Sequence, residues 1–171
     1  WNKVRRNVWG ISGAHSKNAS YLSASLLANN PNLVAGKKQV YLAWEGGKSP
    51  YTVEIEQNKS NPKSVTISDI SGKVVLLTEQ DLDKLELAPG KSYWVNIKDD
   101  LEEELDLLGQ FTVVADLPLP TPDEAGKIRQ NPNKQGACSE WLLKHGEKWG
   151  LEALQVLHEV GDERLLSKCG L

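Results

Sequence analysis

The amino-acid sequence predicts a mainly β protein: an antiparallel β-sandwich of roughly six or seven strands, followed by a short C-terminal helical hairpin. Three observations support this fold class. Between residues 33 and 116, short segments alternate apolar and polar residues, which is the period of a half-buried strand. Turn residues such as Gly46-Gly47 and Pro89-Gly90 separate these segments, and no amphipathic helical pattern interrupts them. Beyond residue 131 the apolar residues recur at helical spacing instead.

The size and composition are those of a globular protein. The chain has 171 residues, of which 39% are hydrophobic and 25% are charged. Its net charge of -3 argues against a general nucleic-acid binder, which would carry a basic field. No run of about 18 or more apolar residues predicts a transmembrane segment. Because the chain contains no methionine and begins with Trp1, we expect a processed or excised chain with a membrane tether upstream of it.

Residues 1–32 are expected to form a partly irregular N-terminal leader. Its first ten residues combine three cations with Trp1 and Trp9. This combination suits either a membrane surface or packing of one Trp on the domain, and packing is the simpler expectation. Trp9 is a candidate binding residue, because aromatic side chains dominate interface hot spots.

The β-sandwich domain is predicted over 33–116, and it opens with strands on either side of residues 46–50. Those residues read Gly-Gly-Lys-Ser-Pro. Lys48 and Ser49 resemble the end of a phosphate-binding loop, but no glycine precedes them at the required distance and no helical pattern follows. The segment is therefore predicted to be a turn.

Further strands are predicted at 64–68, 73–78, 93–97 and 110–115. In the third of these, Trp94 points opposite to its neighbours Tyr93 and Val95, so it should face away from the core. It is the leading candidate for a binding residue, although the C-terminal helices could instead cover it. Alternation places the following residues in the structural core: Trp44, Tyr51, Val53, Ile55, Leu87, Tyr93, Val95 and Phe111.

Two motifs within 33–116 resemble those of a known family. Leu42-x-Trp44 is followed by Tyr51-x-Val53, and later comes Leu87-Ala88-Pro89-Gly90-Lys91-Ser92-Tyr93-Trp94-Val95. This pattern resembles fibronectin type III domains and related bacterial Ig-like domains. The resemblance implies that the first Trp lies in the core and that the Tyr after Pro-Gly ties down a loop. It also implies a non-catalytic domain that mediates contacts or acts as a spacer in extracellular and cell-envelope proteins.

The C-terminal part is predicted to begin with a linker. Residues 117–130 form a Pro-rich segment whose alternate prolines favour an extended polyproline conformation, and similar segments serve as ligands of proline-recognition domains. Residues 131–171 form a helical appendage that is too small to fold alone, so we expect it to pack on the sandwich or to be held by a disulfide.

Both cysteines lie in this appendage, at Cys138 and Cys169. A disulfide between them is the preferred expectation, with free buried thiols as an alternative. His145 and His158 lie between the cysteines, so a Cys-His-His-Cys metal site is a third alternative. The acidic segment 99–106 matches no calcium loop. We therefore expect no metal and no cofactor.

The sequence contains no motif of a catalytic site. A Gly-x-Ser-x-Gly elbow and a His-Glu-x-x-His helix are both missing from it, although a triad could still assemble in space. We expect no catalytic residue.

The favoured function is a non-catalytic protein-interaction or scaffold module of a cell-envelope or secreted protein. This protein would be located in the periplasm or outside the cell and joined to a membrane anchor. Its partner would be another envelope protein and no nucleic acid. The alternative is a carbohydrate-binding β-sandwich domain or a small hydrolase.

Overall fold

The computed structural model describes residues 22–57, 63–100, 107–158, 167 and 169. The predictions for Trp9, for most of the leader and for most of the acidic segment lie outside these residues. The described residues form seven strands and four α-helices. The strands are β1 Asn32–Val34, β2 Val40–Ala43, β3 Tyr51–Glu56, β4 Ser64–Ile70, β5 Val74–Leu77, β6 Ser92–Lys98 and β7 Leu107–Val114. The α-helices are α1 Glu79–Leu85, α2 Pro122–Gln130, α3 Lys134–Lys144 and α4 Gly150–His158.

The strands form a mixed five-stranded sheet and a two-stranded sheet. The larger sheet has the order β1-β7-β6-β3-β4, and β2 pairs with β5 in the smaller one. Most pairs are antiparallel, but β1 runs parallel to β7. The expectation of purely antiparallel sheets is therefore wrong at this pair. Alternation of apolar residues shows which side of a strand is buried and carries no information about the direction of its neighbour.

Both sheets contribute to one apolar core. Val40 and Leu42 of the smaller sheet belong to the same buried cluster as Val53 and Val95 of the larger one. Of the residues expected in the core, Leu87 is half-buried and packs against this cluster. The others are at most 2% exposed: Trp44, Tyr51, Val53, Ile55, Tyr93, Val95 and Phe111.

The turn between β2 and β3 depends on its glycines. Gly46 and Gly47 have φ angles of 73° and 65°, in the left-handed region that favours glycine. A Cβ atom on Gly47 would lie 2.8 Å from the carboxylate of Asp99 and 2.8 Å from the ring of Tyr51. The Tyr51 hydroxyl donates a hydrogen bond to the carbonyl of Gly46, at 2.9 Å. These contacts place the turn against the end of β6. The segment 46–50 is therefore a turn that helps to hold the strands together.

Helix α1 is a correction to the expectation that no helix lies between the strands. It begins after Thr78, whose backbone N–H donates to the Asp81 carboxylate at 2.9 Å. Leu82 and Leu85 are buried in the main core. The Thr-x-x-Asp spacing and the two leucines three residues apart could have indicated the helix.

Helix α2 corrects the predicted linker at 117–130. The helix begins at Pro122, where the fixed φ of proline suits the first helical turn. Thr121 and Glu124 cap it, with the Thr121 N–H donating to the Glu124 carboxylate at 2.8 Å. Only residues 117–121 of the predicted linker lack helical structure, so its extended part is about a third as long as expected.

Helices α2–α4 form a second apolar cluster. Ile128, Leu142 and Val156 belong to it, together with Val34 of β1. Cys138 and Cys169 form a disulfide with Cα atoms 5.9 Å apart, and both cysteines are fully buried. The helices therefore pack on the strands, and the C-terminal part also contains the disulfide. Both features that the sequence predicted to hold the appendage are present. Among the described residues, no helix has the length and apolarity needed to cross a membrane.

Candidate binding surface

Trp94 lies on the outward face of the five-stranded sheet. Strand β6, which carries it, runs between β3 and β7. Its neighbours Tyr93 and Val95 are fully buried, whereas Trp94 is 46% exposed. The alternation along β6 accounts for this orientation. Because the residue is 46% exposed, the described helices do not bury it, and the alternative that they cover Trp94 is wrong for this part of the chain.

Three further side chains share a row with Trp94 across the sheet. Glu56 of β3 is its register partner on one side, and Gln110 of β7 is its partner on the other. Ser64 of β4 follows beyond Glu56. Directly opposed residues of antiparallel strands have Cβ atoms about 4.5–5.5 Å apart, so neighbouring side chains in this row can act together.

The next row of the same face is already paired within the protein. The Lys98 Nζ atom lies 3.0 Å from Glu54 Oε2. Asn96 donates from Nδ2 to the same oxygen at 3.4 Å. By contrast, the Glu56 side chain has no hydrogen bond or ion pair with any residue that the structure describes. The carboxylate beside Trp94 is therefore available to a ligand.

The strand beneath Trp94 is fixed by aromatic contacts. The rings of Tyr93 and Phe111 stack with centroids 5.3 Å apart. The Tyr93 hydroxyl donates to the carbonyl of Glu86 at 2.9 Å and accepts from the N–H of Ala88 at 3.1 Å. Burial raises the pKa of Tyr93, which keeps this hydroxyl protonated as a donor. These contacts hold β6 in place and thereby the position of Trp94.

A different arrangement covers the outer edge of β2. The side-chain amide of Gln155, in α4, accepts from the N–H of Tyr41 at 2.7 Å and donates to the carbonyl of Tyr41 at 2.9 Å. It also donates to the carbonyl of Leu151 at 3.0 Å. Gln155 is fully buried and takes the place of a neighbouring strand at this position.

Glu152 does the same for β1. Its Oε2 atom accepts from the N–H of Val34 at 2.9 Å, and Oε1 lies 2.8 Å from the Nζ atom of Lys37. The side chains of Glu152 and Lys37 are 0% and 3% exposed. Sequence reasoning missed both of these α4 residues. Their spacing of three residues within an otherwise apolar helix was the available signal, since it puts two polar groups on one face.

The described histidines contact a backbone carbonyl of the helical part and an aromatic ring of β2. The Nδ1 atom of His145 lies 3.0 Å from the carbonyl oxygen of Trp141. The ring of His158 stacks on Tyr41 with centroids 4.6 Å apart, and burial lowers the pKa of His158. Within the described ranges no three His, Cys, Asp or Glu side chains are grouped to hold a metal ion.

Comparison with known proteins found no match. No protein-family model matches the chain, and neither does any curated protein or solved structure.

Proposed function

We propose that this chain is a non-catalytic protein-interaction module of a cell-envelope or secreted protein. The observation that carries the proposal is the exposed ring of Trp94 in the middle of a sheet face. An indole group in this position is a large apolar surface that a partner can bury, and Trp is among the commonest interface hot spots. The described histidines contact neighbouring rings and backbone, which favours a non-catalytic role.

The scaffold of this module is proposed to be a β-sandwich of the fibronectin type III or Ig-like kind. Three features support this. The five-stranded and two-stranded sheets bury residues in one common cluster. Tyr93, after the Pro-Gly turn, bonds back to Glu86 and Ala88, as the tyrosine of such domains ties down a loop. Buried Trp44 corresponds to the core Trp of the same family.

An extracytoplasmic location follows from the same proposal. The supporting observation is the buried disulfide between Cys138 and Cys169, because such bonds persist in oxidising compartments. A thiol count on the denatured, unreduced protein isolated from its native host tests this. Two free thiols would contradict the assignment.

A protein partner is favoured over a polysaccharide by the number of exposed rings. Carbohydrate-binding surfaces use several coplanar aromatic side chains. In the described part of the chain, the other strongly exposed large apolar residues are Val74 and Leu119, and neither is aromatic. Among the described residues, Trp94 is the one strongly exposed ring, and an indole beside polar side chains suits a protein interface, in which one anchor is surrounded by polar groups.

Site-specific photocrosslinking in cells that express the full chain tests the proposal. A photoreactive phenylalanine analogue at position 94 should give a specific adduct with an envelope protein, whose formation untagged wild-type chain suppresses. Val74 is the matched control, because it is 44% exposed and Trp94 is 46% exposed, but it lies in the other sheet. Equal adducts from both positions, or no adduct together with polysaccharide binding that requires Trp94, would overturn the proposal.

A further inference from the structure

The side chains around Trp94 indicate which chemical group of the partner protein binds there. We infer that the row formed by Glu56, Trp94 and Gln110 binds an arginine side chain of the partner protein. The inference rests on the proposed function and adds to it the identity of the contacting group. It depends on charge and register within this row, in addition to the exposure of the ring.

The carboxylate of Glu56 lies beside the ring of Trp94. Glu56 is the direct cross-strand partner of Trp94, so both side chains leave the sheet on the same face and next to each other. Glu54, two residues earlier, is engaged by Lys98. No described residue supplies a cation to Glu56. Within the described part of the chain the carboxylate beside the ring therefore has no positive partner, and the bound protein can supply one.

The row combines an aromatic ring with two hydrogen-bond acceptors, which together suit a cation. A cation placed over an indole face is attracted by the ring quadrupole. A carboxylate at the edge of the ring accepts hydrogen bonds from the same cation. Gln110, on the opposite side of Trp94, adds an amide oxygen as a further acceptor. Cation, ring and two acceptors would thus lie in one line across three strands.

Arginine suits this row better than lysine. A guanidinium group is planar, so it can stack on the indole and present its N–H groups in the plane to Glu56 and Gln110 at the same time. An ammonium group is a compact point charge and offers no flat surface to the ring. The row therefore favours arginine, and a neutral side chain of the same shape should not bind.

The test uses the purified protein and two capped tripeptides, acetyl-Gly-Arg-Gly-amide and its citrulline counterpart, which has the same shape without the charge. The indole N–H signal of Trp94 is followed by NMR and is identified by its loss in Trp94→Phe. We expect a saturable shift of this signal with the arginine peptide at millimolar concentrations, and no shift with the citrulline peptide.

The Glu56→Gln variant keeps the shape of the side chain and removes its charge. It should weaken binding of the arginine peptide about five-fold. Glu45→Gln is the control, because Glu45 is exposed and belongs to the region of the other sheet; it should leave binding unchanged. Equal shifts with both peptides, unchanged binding by Glu56→Gln, or no shift at about 50 mM peptide would overturn the inference.

The two proposals can fail separately. A specific adduct from position 94, together with a Trp94 signal of the wild-type protein that ignores the arginine peptide, would remove the arginine and leave the protein partner. An arginine-dependent shift without any protein adduct would remove the proposed function and leave the arginine site.

Discussion

Two regions of the molecule reverse the usual placement of polar and apolar side chains. One is the outer edges of β1 and β2, and the other is the outer face of β6. At the edges, the polar side chains of Glu152 and Gln155, which belong to α4, are fully buried. On the face of β6, the apolar ring of Trp94 is 46% exposed. Buried polar groups and exposed large apolar groups are the informative exceptions in a globular protein, because both cost free energy unless something compensates.

The compensation differs between the two regions. At the edges it lies within the chain, since Glu152 and Gln155 bond to backbone groups of Val34 and Tyr41. These side chains close strand edges that could otherwise pair with another chain. At Trp94 the protein leaves 46% of the residue exposed, and the compensation is proposed to come from a partner. The comparison separates residues that hold the molecule together from a residue kept for contact.

The largest effect is expected from Glu152→Ala. It would remove the carboxylate that pairs with the buried ammonium of Lys37 and that accepts from the N–H of Val34, at a cost of about 3–5 kcal/mol in the free energy of unfolding. Urea denaturation measures this. The control is Glu147→Ala, since Glu147 also accepts a hydrogen bond but is exposed; its loss should cost less than about 1 kcal/mol. Similar losses for both variants would show that burial of the Glu152 pair has no special role.

Gln155→Ala should have the next largest effect. The substitution removes both bonds to Tyr41 and should cost about 1–3 kcal/mol. Hydrogen exchange gives a local measurement, because the Tyr41 amide should exchange faster in the variant. Gln130→Ala, at an exposed position in α2, serves as the control and should change neither quantity. Unchanged exchange at Tyr41 would contradict the role of Gln155 as an edge cover.

A smaller, pH-dependent effect is expected at His158. Burial lowers its pKa in the folded protein below the ordinary value of about 6.5. The unfolded chain therefore takes up the proton first, and the contribution of His158 to stability, fully present above about pH 6.5, is lost as pH falls through the folded pKa. Thermal melts between about pH 7.5 and 5 should show a steeper loss for the wild type than for His158→Gln. Parallel curves for the two proteins would contradict this assignment.

The smallest effect on stability is expected from Trp94→Ala. Because Trp94 is 46% exposed in the folded protein, the free energy of unfolding should change by less than about 1 kcal/mol. Trp44→Ala is the comparison of the same residue type in the core and should cost about 3–5 kcal/mol. A loss at Trp94 as large as that at Trp44 would make the exposed ring a structural element and would remove the contrast between edge and face.

Much of the strand pattern could be predicted from the sequence. The expected strands at 64–68, 73–78 and 93–97 correspond to Ser64–Ile70, Val74–Leu77 and Ser92–Lys98. Period-two alternation is a local property, and it needs only the distinction between a buried and an exposed side. The outward direction of Trp94 follows from the same rule. The helix Glu79–Leu85 was missed because its seven residues are too few for a strong helical period, so its capping residues were the better indicator.

The sequence by itself determined the mainly β character, the positions of most strands and which of the two tryptophans, Trp44 or Trp94, faces outward. Only the tertiary structure decided that β1 runs parallel to β7, that α4 closes the edges of β1 and β2, and that Glu56 and Gln110 lie beside Trp94. The physical reason is distance along the chain. Alternation and capping act between near neighbours, whereas the partners of Val34 and Tyr41 are 118 and 114 residues away and meet them only when the core has formed.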